Sequence, residues 1–308
     1  MRNGIRYYGA SMAIDETQKQ QMETGKGFIA ALDQSGGSTP KALGLYGVTP
    51  EDYDGEEEMF AAMHDMRARI IKSRDFTSDK VIGAILFERT MDAEIDGKPV
   101  AELLWQDRGV VPFLKIDKGL KDTANGVQLM KPMPELDVLL DRAKKAGIFG
   151  TKERSVIHEA NESGIGAVVA QQFEVAKAVC KAGLVPIIEP EVSIDSNSKN
   201  EAEEMLEREL LKHIRALPEG EMVMLKLTIP DVPGRYDALA DMPNVLRVVA
   251  LSGGYSTAEA CEKLAENHKM IASFSRALTE GLNVKMSDTE FDDALGANID
   301  KIYRASIA

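Results

Sequence analysis

The chain has 308 residues, 44% of them hydrophobic and 28% charged, the balance of an ordinary soluble globular protein. Its net charge of −13 excludes general affinity for nucleic acid or anionic membrane, while leaving room for a local cationic cleft. Cys180 and Cys261, each within a helix-like pattern, make no disulfide framework, and no apolar run reaches membrane-spanning length.

The opening stretch MRNGIRYYGASMAIDETQKQ lacks the apolar core of a signal peptide, so a cytoplasmic location is expected. Residues 1–13 read as an extension without a pattern and 14–24 as a polar leading helix. Together, 1–24 precede one domain over 25–308. In GKGFIAALDQSGGSTPK an apolar strand at 28–32 ends at Asp33 and runs into a Ser/Gly turn. A helix over 56–73 carries Met59, Phe60, Met63, Met66 and Ile70 in helical register, a core face. Strands follow at 81–87 and 110–117. Next come an amphipathic helix at 136–146, a short strand at 148–152, a helix at 157–182 and a strand at 184–191. The charged helix at 201–217 keeps Leu206, Leu210, Leu211 and Ile214 on its apolar side. Strands at 222–230, 246–252 and 270–276 enclose a helix at 257–267, and helical segments at 277–281 and 288–303 finish the chain.

Eight strands alternating with helices predict βα units and a parallel sheet, and at this length a single-domain (β/α)₈ TIM barrel. Lys115, Lys152, Glu189 and Lys226 follow one another at intervals of 37 residues, one βα unit each. Each lies near the C-terminal end of its strand, the end where barrel active sites sit. The same rim is predicted to carry Asp33, Glu88, Asp117, Glu191, Ser252 and Arg276.

Lys226 is the only charge in MVMLKLTIP, a run with the composition of a strand buried on both faces. A lysine at a strand end can bury its stem and still reach water with its amine. Buried more deeply, a lysine tends toward the neutral amine, which can attack a ketone and form a Schiff base. Three lysines on one rim repel one another, so the carboxylates must balance them. Glu189 and Asp33 are then candidates for proton transfer.

Two small, polar turns stand apart from the charged set. LSGGYS (251–256) leaves the seventh strand and opens a helix, where backbone N–H groups can approach an anion, with Arg276 placed to add a cation. DQSGGS (33–38) offers Ser35 and Ser38, with Lys115 near. Each turn alone could be only a turn. Together, on either side of a lysine-rich mouth, they predict a substrate with phosphate at both ends.

GKGFIAALDQSGGS, GAILFERT, PFLKIDKG, TKER, LVPIIEPEV, MLKLT, VVALSGGYS and SFSRAL, in this order over about residues 25 to 285, resemble class I fructose-1,6-bisphosphate aldolase in its compact bacterial form. The resemblance implies a (β/α)₈ lyase of glycolysis and gluconeogenesis that forms a Schiff base with a ketose phosphate and needs no metal or other cofactor. It implies Lys226 as the Schiff-base lysine, Glu189 as the group that handles protons during imine formation and Glu191 as its neighbour. It implies Asp33 as the residue near C4 that assists cleavage, Lys152 as the electrostatic partner and Arg154 as a substrate contact. Ser252, Gly253, Ser275 and Arg276 match the phosphate site beside the dihydroxyacetone half, and Ser35, Ser38 and Lys115 the other. Ser275 stands where the family commonly has glycine. The chain ends IYRASIA, with Tyr303 short of the terminal position that assists proton exchange in animal members.

A metal-dependent aldolase would place histidines at strand ends, but His64, His158, His213 and His268 fall in helix-like or helix-edge segments. A Schiff-base aldolase for another ketose phosphate, such as tagatose 1,6-bisphosphate, remains open, as does a non-catalytic barrel scaffold. The charged helices offer no apolar patch from which to read an oligomeric state.

Overall fold

The computed structural model describes residues 14–308. Residues 1–13, expected as an extension, lie outside the described part. Eight strands run in parallel: β1 Phe28–Leu32, β2 Val81–Leu86, β3 Val111–Lys115, β4 Gly150–Ile157, β5 Val185–Val192, β6 Val223–Thr228, β7 Val245–Leu251 and β8 Met270–Ala272. They pair in sequence order, and the first and last meet across a seam to form a (β/α)₈ barrel. The helices include α1 Glu16–Thr24, α2 Thr39–Tyr46, α3 Gly55–Lys72, α4 Leu136–Lys145, α5 Glu162–Lys181, α6 Lys199–Arg215, α7 Thr257–Ala265, α8 Arg276–Thr279 and α9 Asp288–Ser306.

The strands are apolar on both faces because both faces are covered. One buried cluster fills the layer between sheet and helices, and a second, including Ile29, Phe113, Ile187, Met224, Val249 and Ile271, fills the barrel interior. Side chains along a strand repeat their direction every second residue. Lys115 therefore follows Phe113 into the barrel, Glu189 follows Ile187, and Lys226 follows Met224. The register staggers them: Lys115 pairs with Lys152, Lys152 with Ile187 and Ile187 with Met224, so Glu189 and Lys226 stand two residues further along their strands than the other two lysines. The 37-residue spacing thus brings four charged side chains to the mouth above an apolar floor.

The opposite end is plugged by α1. Asp15 caps it, its carboxylate accepting from the N–H groups of Thr17 and Gln18. Met22 is fully buried in the interior cluster. Gln21 donates to the carbonyls of Ile82 and Gly109, and Arg247 donates to those of Met22 and Gly25.

β4 departs most from expectation. It starts two residues later than expected and runs five residues further, to Ile157. Gly150 opens it because a Cβ there would lie 2.2 Å from the Val185 carbonyl oxygen and 2.9 Å from the Phe113 ring. Its polar half, ERSVI, resembles a loop in composition, yet Glu153 and Ser155 are buried beneath α5. A two-residue strand, Val127–Gln128, pairs antiparallel with its far end. The following helix accordingly begins only at Glu162, capped by Asn161.

Candidate active site

Lys152 is the centre of the mouth. Its amine, in a side chain only 3% exposed, lies 2.7 Å from Asp33 Oδ2, 2.9 Å from Glu189 Oε2 and 4.0 Å from Asp117 Oδ2. Burial opposes its charge, but Asp33, Glu189 and Asp117 outweigh that and hold the ammonium form well above the ordinary lysine range. Asp33 responds in the opposite sense. Burial favours its neutral acid, yet Lys152, Lys226 and Lys115 hold it far below the usual carboxylate range. Asp33 is thus a buried carboxylate kept ionised.

Lys226 is 4% exposed, and its Nζ lies 3.1 Å from Glu189 Oε1. Glu189 therefore bridges two amines, one oxygen to each. The Oε2 atom is buried and accepts no hydrogen bond, so its approach to Lys152 is one of charge alone. That leaves directional capacity on the carboxylate for a proton in transit.

Around this centre opens a cleft of about 640 Å³. At one side Ser252 and Gly253 leave β7; Gly253 has φ +61°, and Gly254 has φ +134°. The left-handed turn suits glycine, and a Cβ on Gly254 would come within 3.7 Å of Arg276 Nη2. Ser275 and Arg276 also line this side. β8 is shorter than the expected 270–276 strand, and Arg276 opens α8.

At the other side Ser35 and Ser38 border the cleft on a short 3₁₀ turn, Gly36–Ser38. The Ser38 hydroxyl accepts from the Ser35 N–H and donates to the Ser35 carbonyl, so it is engaged within the loop. Lys115 is drawn inward, donating to Asp117 Oδ1 at 2.8 Å and to the Asp117 carbonyl at 3.0 Å. Between the two sides Arg154 Nε donates to Glu191; burial opposes the guanidinium charge, and Glu191 more than restores it.

The thirteen residues given roles by the family resemblance all border this one cleft, and Asp117 of the predicted rim does too. Glu88 does not join them, being paired with Lys118 and Arg142 outside it. Tyr303 packs against the core from α9 and does not line the cleft, nor does any of the four histidines. Sequence reasoning undervalued three groups. Asp117 contacts both Lys115 and Lys152, a role its position two beyond Lys115 could have suggested. Lys41 lines the cleft beside Ser38 from the first turn of α2, legible only once the turn and helix are joined. Gln34, hidden between Asp33 and Ser35, carried no signal of its own.

The family model for fructose-bisphosphate aldolase class-I matches residues 13–230. A relative from Synechocystis sp., fructose-bisphosphate aldolase class 1, is 56% identical over 298 residues, spanning 96% of this chain and 99% of that one. Among solved structures, fructose-bisphosphate aldolase of Plasmodium falciparum superposes with a TM-score of 0.76 at 22% identity, covering 94% of this chain and 93% of that one. A Corynebacterium glutamicum protein superposes at 0.52 with 12% identity, covering 94% and 92%. These two structural likenesses speak to the barrel fold. The family model covers the first six strands and the relative's match extends across nearly the whole chain, so the chain belongs to the class I fructose-bisphosphate aldolase family.

Proposed function

We propose that the chain reversibly cleaves fructose 1,6-bisphosphate to dihydroxyacetone phosphate and glyceraldehyde 3-phosphate through an imine on Lys226, as a cytoplasmic enzyme of glycolysis and gluconeogenesis. The observation that carries this reading is Glu189 lying between two buried amines, Lys226 at 3.1 Å and Lys152 at 2.9 Å. Glu189, ion-paired with the Lys226 ammonium, can take the proton that frees the amine; as the amine adds to the C2 carbonyl, one N–H proton passes to the C2 oxygen to make the carbinolamine hydroxyl. Glu189 can then deliver the proton it holds to that hydroxyl, which leaves as water and gives the iminium.

Asp33, kept ionised by Lys152, takes the proton of the C4 hydroxyl. The C3–C4 bonding pair passes into the iminium, releasing the aldehyde and leaving an enamine on Lys226. Protonation at C3 and hydrolysis of the imine then free dihydroxyacetone phosphate and the amine. Arg276 with the backbone N–H groups at Ser252–Gly253 and Ser275 holds the C1 phosphate, and Ser35, Ser38 and Lys115 serve the C6 phosphate. Arg154, oriented by Glu191, contacts the sugar chain between them.

Borohydride reduction in the presence of dihydroxyacetone phosphate tests the reading directly. One labelled peptide containing Lys226 is expected, Lys226→Met removes the label, and excess chelator leaves cleavage intact. A label elsewhere, or activity lost to chelator and restored by zinc, overturns it. Turnover of tagatose 1,6-bisphosphate, the C4 epimer, measures how strictly Asp33 and its neighbours read that carbon.

A further inference from the structure

The barrel closes weakly where its ends meet. β1 and β8 form no ladder; among the described residues one backbone hydrogen bond crosses the seam, from Ala31 N to the Phe274 carbonyl at 3.4 Å. The seam lies between the two sides of the cleft, with Asp33 and the Ser35–Ser38 turn after β1, and Ser275 and Arg276 after β8. Any slip there changes the distance between the groups that would hold the two phosphates.

Gln34 crosses this seam at the mouth. Its amide Nε2 donates to Ser275 Oγ at 2.6 Å. Its own backbone is fixed from behind by Arg67, on α3, whose Nη2 donates to the Gln34 carbonyl. Arg67 is 2% exposed and is held in place by Thr90, whose hydroxyl accepts from Nη1 at 2.8 Å. A buried guanidinium that among the described residues has no carboxylate within ion-pair distance is costly, and here its charge-assisted bond goes to the residue beside Asp33. The Ser275 hydroxyl thus has a side-chain partner across the seam.

We infer that Gln34 is a positioning residue that latches β1 to β8 and couples the two phosphate-binding sides of the cleft, favouring substrates that span both. The inference rests on the aldolase reading of this cleft. Gln34 touches neither the reacting carbons nor a phosphate in this account; it sets the spacing between Asp33 and Arg276. A ligand bound only on the Arg276 side does not sense that spacing, whereas a bisphosphate does.

A double-mutant cycle tests it with Gln34→Ala, Ser275→Ala and both together, measured on fructose 1,6-bisphosphate and fructose 1-phosphate. One lost hydrogen bond predicts that each single variant lowers kcat/KM for the bisphosphate by roughly two- to tenfold. The double variant should fall no further than the worse single one, because both remove the same bond. The ratio of bisphosphate to monophosphate kcat/KM should drop in all three, which general loosening of the fold would not cause. Multiplying effects, or equal losses on both substrates, overturn the latch. Borohydride labelling of Lys226 in the unaltered protein separates the cases. If labelling succeeds and the cycle multiplies, only the latch is wrong; if labelling fails, the aldolase reading and the latch fall together.

Discussion

The Lys226 amine and Glu189 Oε1 stand 3.1 Å apart, and among the described residues no other carboxylate lies within ion-pair distance of that amine. Proton traffic at the imine nitrogen therefore has one ready acceptor. Glu189→Gln keeps the shape and removes the proton-carrying capacity. Imine formation, followed by stopped-flow trapping with borohydride, should slow by roughly 10²- to 10⁴-fold, with much less change in substrate binding. An unchanged rate would mean that another group carries the proton.

Lys152 should act on the pH profile through Asp33. In the intact site, burial favours the neutral acid of Asp33, and Lys152 is the largest of the charges that overcome it. Because the folded value is depressed, the resulting stability is present above the ordinary value of 3.8 and is lost only as pH falls through the folded value. Lys152→Met removes the largest of these charges, leaving only Lys226 and Lys115 against burial, and so raises Asp33 from its depressed value. Activity remaining in this variant should rise with pH where the parent is flat. Leaving buried carboxylates without their cation should also cost about 3–5 kcal/mol of stability at neutral pH. Kinetics across about pH 5 to 9 and urea unfolding check both; a parent-like pH profile would remove Lys152 from this role.

The catalytic layer was readable in the sequence because barrel geometry is periodic. Lys115, Lys152, Glu189 and Lys226 recur at one unit length, and each follows an apolar residue of the barrel interior or opens toward the mouth. What periodicity does not encode is the company a side chain keeps. Glu88 satisfied the same strand-end pattern, yet it turns outward to Lys118 and Arg142. Gln34 and Arg67 are 33 residues apart and meet only through the packing of α3 behind β1. The outward face of β4 was equally hidden, since Glu153 and Ser155 look like loop residues until α5 covers them.

Glu153 gives a separate test of folding. It is fully buried, its Oε1 has no hydrogen-bond partner, and Oε2 has only a 3.5 Å contact from the Thr151 hydroxyl. Burial, reinforced by Asp117, pushes its carboxyl well above the ordinary value of 4.5. The folded protein thus holds a proton that the unfolded chain has released, so its contribution to stability falls as pH rises above 4.5 toward the folded value. The slope approaches about 1.4 kcal/mol per pH unit for one proton. Glu153→Gln supplies a permanently neutral group and should flatten that decline. Parallel slopes in urea unfolding across neutral pH would mean that Glu153 is not the proton holder.

The placement of the two anion sides makes the sharpest demand on kinetics. Arg276 stands beside the left-handed turn at Gly253–Gly254, so it and the backbone there should hold the phosphate nearest the ketone. A charge-assisted hydrogen bond contributes about 1.5–3 kcal/mol, and each ~1.4 kcal/mol is tenfold. Arg276→Ala should therefore lower kcat/KM by roughly 10- to 150-fold for fructose 1,6-bisphosphate. Fructose 1-phosphate uses the same side and should lose a similar factor. Replacing Ser35 and Ser38 together by alanine should behave differently. The bisphosphate suffers, while the monophosphate has nothing to place at that turn and is nearly unaffected. The Ser38 hydroxyl already bonds the Ser35 backbone, so unfolding measurements must accompany the kinetics, and a stability loss alone would lower both substrates together. Equal penalties on both substrates in a variant that remains fully folded would mean that the second phosphate is held elsewhere in the cleft, with Lys41 the next cation to remove.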